Sequence, residues 1–409
     1  MSARSTSELE INARAQAIRP SATLAVAARA KALRLEGRRV LDFSTGEPDF
    51  KPPAAVTATV SEFLRTRPVH YPPVAGLTEL REEVALQLGA VHGRAFSSAE
   101  VMVSAGAKHA LANLFMVTLS PGDEVVILAP YWVSYPDMVR LAGGVPRVAT
   151  ARIEDRWQIR PEALAAVLGP RTRFVVINSP SNPTGAVLSG AEIQAIVALI
   201  EELAPSAWLI LDDIYRRLVY GDAKHVSAFR ALGDRFDRIV AVDGVSKSYA
   251  MTGYRIGFLL APAPVIAAAS RIQGQMTSGV AMPSQVAALA ALRDPAGEEV
   301  LATMLGAFGR RRRLVIEEIG AIESVGFLPP DGAFYAFFDV RRHLGPGTPF
   351  ADDLALATWL LERESVALVP GTPFGAPGHL RLSYATADED LREGLSRLRA
   401  AFAALPVAG

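Results

Sequence analysis

Between about residues 97 and 262 the chain alternates short, almost unbroken apolar runs with longer amphipathic stretches. The runs are VMVS (101–104), EVVILAP (124–130), RFVVINSP (173–180), WLILDD (208–213), RIVAVDG (238–244) and GFLLAP (257–262). Apolar runs of this length, without polar alternation, predict strands of a sheet covered on both faces. The stretches between them, such as AKHALANLFMVTL (107–119) and SGAEIQAIVALIEELA (189–204), read as the covering helices. Strand and helix in alternation predict an α/β domain with a mostly parallel sheet flanked by helices. Ligands of such sheets collect outside the carboxyl ends of the strands.

The two flanks follow a different pattern. The first fifty residues predict an arm and a helix, then the short segment VLDFSTGEPDF. Past about residue 300, GRRRRLVIEEIGAI reads as helix, GAFYAFFDV and HLRLSYA read as strands, and a last helix follows Asp388. Both flanks are expected to build one smaller α+β domain, so the divisions fall at 1–52, 53–298 and 299–409. The chain shows no internal repeat and no low-complexity linker.

Composition narrows the chemistry. Lys plus Arg and Asp plus Glu both number 42, so no overall field favours nucleic acid or an anionic membrane. The cluster Arg310–Arg313 reads as a solvated helix face. Absence of cysteine excludes disulfides, thiolate nucleophiles and Cys-ligated zinc, and the six histidines lack metal-ligand spacing. The polar N-terminus and the absence of an eighteen-residue apolar stretch predict a cytoplasmic, soluble protein.

Polar residues at the ends of predicted strands are the candidates for function. Asp212 and Asp213 follow WLIL, with Tyr215 two residues on; a carboxylate there needs a cation or donors, or else it caps a helix. Asn182 lies in NSPSNPTGA (178–186), where an amide can reach a ligand and where a plain tight loop reads equally well. SAGAKHALANLF (104–115) runs from strand through small residues into a helix, leaving the amides near Gly106, Ala107 and Lys108 free for an anion. In DGVSKSYAMTGYRIGFLLAP (243–262), Lys247 and Arg255 stand between two buried strands. A desolvated lysine amine is a nucleophile towards an aldehyde, and an arginine can hold a phosphate by two bonds. An amine for an aldehyde, an acid for a ring nitrogen, donors for a ring oxygen and a phosphate cup match the needs of pyridoxal 5′-phosphate.

With these residues in place the chain resembles the class I aminotransferases of fold type I, and among them the bacterial aspartate aminotransferases. The resemblance runs almost end to end, through PSATLAV (20–26), TGEPDF (45–50), YPPVAGLTELRE (71–82), PYWVSYPDMV (130–139), NSPSNPTGAV (178–187), DDIY (212–215), SKSYAMTGYRIG (246–257), GAFY (332–335), VPGTPFG (369–375) and HLRLSYA (379–385). It implies that Lys247 is the Schiff-base lysine, that Arg255 holds the phosphate and that Asp212, not Asp213, pairs with the pyridinium nitrogen. Tyr215 and Asn182 are similar to the donors to the ring oxygen, Trp132 to the aromatic lying on the ring, and Ala107 with Lys108 to the phosphate turn. Tyr71 is similar to the tyrosine that reaches the neighbouring subunit's phosphate, which implies a homodimer with shared sites. Gly46, through its N–H, and Arg381 resemble the clamp on the substrate α-carboxylate, and Lys108 and Thr23 the contacts to a distal carboxylate.

The activity implied is ping-pong amino transfer between aspartate or glutamate and a 2-oxo acid. Amino transfer of aromatic or other amino acids, or a lyase or synthase reaction on the same fold, would use the same cofactor parts. A regulator's effector domain would need a DNA-binding domain ahead of the fold, and the match already begins by residue 20. Three positions depart from the family: Asp213 where Glu is frequent, Tyr254 where Trp is frequent, and Gly244 where many members bind phosphate with Ser or Thr. At the last, either one phosphate bond is missing or Ser246 compensates.

Overall fold

The computed structural model describes residues 9–18, 20 and 22–408. Residues 1–8, Arg19, Ser21 and Gly409, which include part of the expected arm and one position of PSATLAV, lie outside the described residues. Strand β1 (Leu41–Asp42) belongs to the smaller part of the molecule. Strands β2 (Val101–Ser104), β3 (Glu124–Ala129), β4 (Val145–Thr150), β5 (Thr172–Asn178), β6 (Trp208–Asp212), β7 (Ile239–Gly244) and β8 (Gly257–Leu260) form one sheet in the order β2-β8-β7-β6-β5-β3-β4. All neighbours are parallel except β8, which runs against both β2 and β7. Residues 245–256, between β7 and β8, hold turns and one short 3-10 helix (Thr252–Tyr254) but no α-helical crossover, and the chain turns back on itself. Strand β4 was not among the predicted runs. It is an edge strand with mostly exposed or half-exposed side chains, and so carries no buried apolar signature.

Successive side chains of the central strands enter two different cores. Val126, Val175, Ile177, Leu209 and Leu211 face one core; Val125, Ile127, Phe174, Val176 and Ile210 face the other. Helix Gly190–Leu203 closes the first with Ile193, Ile196, Val197 and Ile200, each contributing about 1.5–3 kcal/mol by leaving water. Its start is set by a capping box, in which Ser189 Oγ accepts from the Glu192 N–H and the Glu192 carboxylate accepts from the Ser189 N–H. Helix Ala107–Thr118 closes the second core with Ala110, Leu111, Leu114 and Phe115.

The two flanks meet. Strand β1 pairs in parallel with β11 (Val366–Ala367), while β9 (Gly326–Phe327), β10 (Tyr335–Asp339), β12 (Val369–Pro370) and β13 (His379–Ser383) form an antiparallel sheet in the order β12-β13-β10-β9. Leu41 and Phe43 share one core with Phe308, Phe338, Leu380, Leu395 and Phe402, and with Ile214 and Tyr215 from beyond β6. Arg311, on helix Ala296–Gly320, does not form part of the solvated face expected for Arg310–Arg313. It is buried, forks onto both oxygens of Asp49 at 2.7 and 2.8 Å, and donates through Nε to Asp388 at 2.7 Å. Bidentate geometry and burial make this one of the few ion pairs here that can fix a loop rather than decorate a surface. Among the described residues no helix is long and apolar enough to cross a membrane, and no group of His, Asp and Glu is placed to hold a metal.

Candidate active site

A cleft of about 290 Å³ opens at the carboxyl ends of the central strands. Its wall combines Asn178 and Asp212, the last residues of β5 and β6, with Ser246 and Lys247 just past β7, Ala107 and Lys108 past β2, and Trp132 past β3. Thr23, Ser44, Gly46 and Glu47 from the N-terminal flank and Tyr335 and Arg381 from the C-terminal flank complete it. Of the predicted residues, Asn182, Tyr215 and Arg255 also line it. Tyr71 does not: its side chain is 92% exposed on the outside of the chain.

Lys247 Nζ donates to the Gly46 carbonyl at 2.6 Å. Burial pushes its ammonium down from 10.5 to about 8, Glu47 opposes this, and the charges of Arg255 and Arg381 add to it. An amine so placed is unprotonated in an appreciable fraction near neutral pH, the condition for attack on a carbonyl.

The alternatives for Asp212 and Asp213 are now separated. Turns, not a helix, follow β6, so neither aspartate is a helix cap. Asp212 faces the cleft, where Tyr135 Oη donates to Oδ2 at 2.5 Å and the Ile214 N–H approaches Oδ1 at 3.4 Å. Burial pushes its carboxyl up from 3.8 to about 7, the two hydrogen bonds pull it down, and Asp213 and Asp243 push it up again. Asp213 turns away and meets His225 Nε2 at 3.1 Å. That pairing, with the charges of His92 and Arg216, outweighs burial and keeps its carboxyl below the usual range.

The turn before helix Ala107–Thr118 is shaped around Arg255. Gly106 has φ +88°, and a Cβ there would stand 2.3 Å from Arg255 Nη2, so glycine is needed for both backbone and space. Arg255 itself sits in the left-handed region at φ +55°, held by bonds to the carbonyls of Thr252 at 3.0 Å and Ala105 at 3.2 Å. As the first two helical residues, Ala107 and Lys108 have N–H groups with no acceptor inside the helix. Two open amides and a guanidinium form an anion site. A Cβ on Gly244 would lie 2.8 Å from the Ile256 carbonyl oxygen, so a serine or threonine there needs a backbone shift. Ser246 and Thr252 are the hydroxyl-bearing residues that line the cleft past β7.

Arg381 is buried among neutral acceptors, with Nη1 on Asn182 Oδ1 at 3.1 Å and Nη2 on the Ser44 carbonyl at 2.5 Å. Its Nε has no partner, and no carboxylate among the described residues forms an ion pair with it. A buried guanidinium without a counter-ion is costly, and an anion entering the cleft relieves that cost. Lys108 Nζ lies 5.1 Å from the Trp132 ring centre, at the cleft's outer edge.

Sequence reasoning assigned no role to Tyr135, Asn178, Ser44 or Tyr335. Asn178 donates to the Asp212 carbonyl at 2.8 Å and accepts from the Asn182 N–H at 2.9 Å, tying two strand ends together. Both tyrosines lie in stretches that resemble the family, PYWVSYPDMV and GAFY. Nothing in an apolar run distinguishes an aromatic that packs from one whose hydroxyl also faces a site.

Residues at the ends of the central strands and from both chain flanks converge on a buried amine, beside an anion turn and an arginine without a counter-ion, the arrangement of an enzyme site. A model of the family "Aminotransferase class I and II" matches residues 38–398, and the chain belongs to this family. It is 41% identical to an aspartate/prephenate aminotransferase of Cereibacter sphaeroides, over 95% of this chain and 97% of that protein. It is also 41% identical to an aspartate aminotransferase of Streptomyces avermitilis, over 96% of each. The aspartate aminotransferase of Thermus thermophilus, solved with maleate, superposes with a TM-score of 0.89 at 38% identity, covering 96% of this chain and all (100%) of that one. The chain is an aminotransferase, and its mostly parallel sheet with flanking helices agrees with the fold expected.

Proposed function

We propose that Lys247 carries pyridoxal 5′-phosphate and that the enzyme moves the amino group of aspartate or glutamate to a 2-oxo acid and back by a ping-pong route. One observation carries this reading: a buried, partly neutral amine and a buried arginine without a counter-ion share one cleft. When bound, the cofactor supplies an aldehyde and an electron sink. Arg255, the Ala107 and Lys108 amides and Ser246 hold its phosphate; Trp132 covers its ring. Tyr215 and Asn182 donate to the ring oxygen, and the Asp212 carboxylate keeps a proton on the ring nitrogen by favouring the charged form. Arg381 and the Gly46 N–H hold the α-carboxylate, so the Cα–H faces Lys247. Once the substrate's amino group has replaced it on the cofactor, the freed Lys247 Nζ would take that proton and return it as general base and acid. The divisions at 52 and 298 belong to this proposal, with the clamp shared between a cofactor domain and a smaller one.

Burial of Lys247 gives a pH prediction. Only the unprotonated amine captures an aldehyde, so the rate of cofactor uptake by the empty protein should rise with pH to a plateau, with its midpoint near 8 rather than 10.5. Stopped-flow absorbance after mixing with pyridoxal phosphate measures it; a midpoint above about 10 contradicts the desolvated amine.

Lys108 and Thr23 are the contacts for a second carboxylate, which makes dicarboxylic amino acids the substrates. Lys108→Ala should lower kcat/KM for aspartate by about 10–100-fold, the worth of a charged hydrogen bond, and leave alanine within about 3-fold. Equal losses for both would remove Lys108 from the substrate pocket. Prephenate, also a dicarboxylic 2-oxo acid, fits the same clamp, and the Cereibacter relative's name includes it. A half-reaction screen decides between donors: the loaded enzyme is mixed with each amino acid and the loss of visible absorbance is followed. No loss with aspartate or glutamate rejects the dicarboxylate reading.

The proposed assembly is a homodimer. Tyr71, exposed here and outside this chain's cleft, would reach the phosphate bound in a second copy, and Leu24, Leu64 and Val69 are large exposed apolar side chains suited to a covered face.

A further inference from the structure

We propose that Tyr335 is a positioning residue for Tyr215: its hydroxyl donates to the Tyr215 oxygen and so commits the Tyr215 proton to the cleft. The proposal rests on the reading that the cleft holds pyridoxal phosphate with Tyr215 on the ring oxygen.

Tyr335 is the first residue of β10, beside Ser383 of β13, and its ring is fully enclosed. A phenylalanine would fill the same space, and a buried hydroxyl costs free energy unless it is bonded. The Tyr335 and Tyr215 oxygens stand 2.8 Å apart, and among the described residues neither hydroxyl has another hydrogen-bond partner. One donates and the other accepts. If Tyr215 donated to Tyr335, its proton would be lost to the cleft and the Tyr335 proton would have no acceptor. With Tyr335 donating, both protons are used once an acceptor stands in front of Tyr215.

The surroundings hold this arrangement. The two rings meet edge to face at 5.8 Å and 80°, and the Arg381 guanidinium lies 4.6 Å from the Tyr335 ring centre. A Cβ on Gly46 would be 2.3 Å from the Tyr335 oxygen, so the substrate-clamp loop closes directly over that hydroxyl. The hydroxyl therefore has little freedom to turn elsewhere. A donor that itself accepts a hydrogen bond is a stronger donor, by roughly a tenth to a third. Tyr335 thus strengthens the hold of Tyr215 on the ring oxygen without touching the cofactor.

The test reads a proton rather than turnover. In the loaded enzyme the visible band titrates with the nitrogen that joins Lys247 to the cofactor. Weakening a donor on the ring oxygen leaves more negative charge there, and this favours a proton on that nitrogen. Tyr335→Phe should therefore raise the midpoint by roughly 0.3–1 pH unit, with the ring contact to Arg381 kept and thermal unfolding followed as a check on the fold. Tyr215→Phe should raise it further, and adding Tyr335→Phe to that variant should change nothing more. An unmoved midpoint in Tyr335→Phe, or the same shift persisting without the Tyr215 hydroxyl, overturns the proposal. A wild-type protein with no titrating visible band overturns the cofactor reading and this one together, so the two failures are distinguishable.

Discussion

Replacing Lys247 by alanine removes the visible absorbance of the loaded protein and lowers amino transfer by about 10⁴-fold or more. Two functions are lost at once. On the proposed reading the amine that tethers the cofactor is gone, and so is the base that carries the Cα proton, which by itself contributes about 10²–10⁴-fold. The fold should survive, because Lys247 is tied by a hydrogen bond to the Gly46 carbonyl and its ammonium is poorly solvated where it sits. A variant that keeps the band, or transfers within about tenfold of the parent, would remove Lys247 from the chemistry.

The second large effect belongs to Asp212. Asp212→Asn keeps the side-chain volume and removes the charge that holds a proton on the ring nitrogen. A buried ion pair broken on one side costs about 3–5 kcal/mol, which is roughly 10²–10⁴ in kcat. Asp213→Asn is the matched control: its carboxylate faces His225 instead of the cleft, so transfer should fall by less than about tenfold. Comparable losses in the two variants would dissolve the distinction between neighbouring aspartates. Stability should move the other way. The folded carboxyl of Asp212 titrates at about 7 against 3.8 unfolded, so the unfolded chain releases its proton first and the empty protein loses stability as pH rises between those values. Asparagine cannot ionise, and the empty variant should melt no lower than the parent at pH 8. A destabilising buried carboxylate of this kind fits the functional role proposed for Asp212.

Much of this was legible along the chain because buried strands speak in apolar runs and strand ends place polar residues outside them. All six predicted runs became strands of the central sheet, and Lys247, Asp212, Asn182, Tyr215, Arg255 and Arg381 line one cleft. What escaped reading has physical reasons. Strand β4 is solvated on its outer side and lost the apolar signature; the reversal of β8 depends on a connection too irregular to read as crossover or hairpin. Arg311 is one of four successive arginines, and only its packing against Asp49 and Asp388 separates it from the exposed Arg310 and Arg313. Tyr135 and Tyr335 are hidden differently. Each occupies a position where a ring is needed for packing, and the added oxygen acquires meaning only from what stands opposite.

The tie made by Arg311 also orders events in time. Asp49 lies three residues past Gly46, and Arg311 joins it to Asp388, while Arg381 donates to the Ser44 carbonyl and the Ser383 N–H donates to the Phe43 carbonyl. The loop proposed to grip the substrate is thus fastened mainly by residues from the last quarter of the chain, with Lys247 Nζ on the Gly46 carbonyl as the contact from the central sheet. A chain made only through the central sheet lacks Arg311, Arg381 and Asp388, and with them the proposed carboxylate clamp. Of the proposed site residues Arg381 is the last to be synthesised, long after Lys247, so on this reading the substrate clamp is completed after the cofactor's platform.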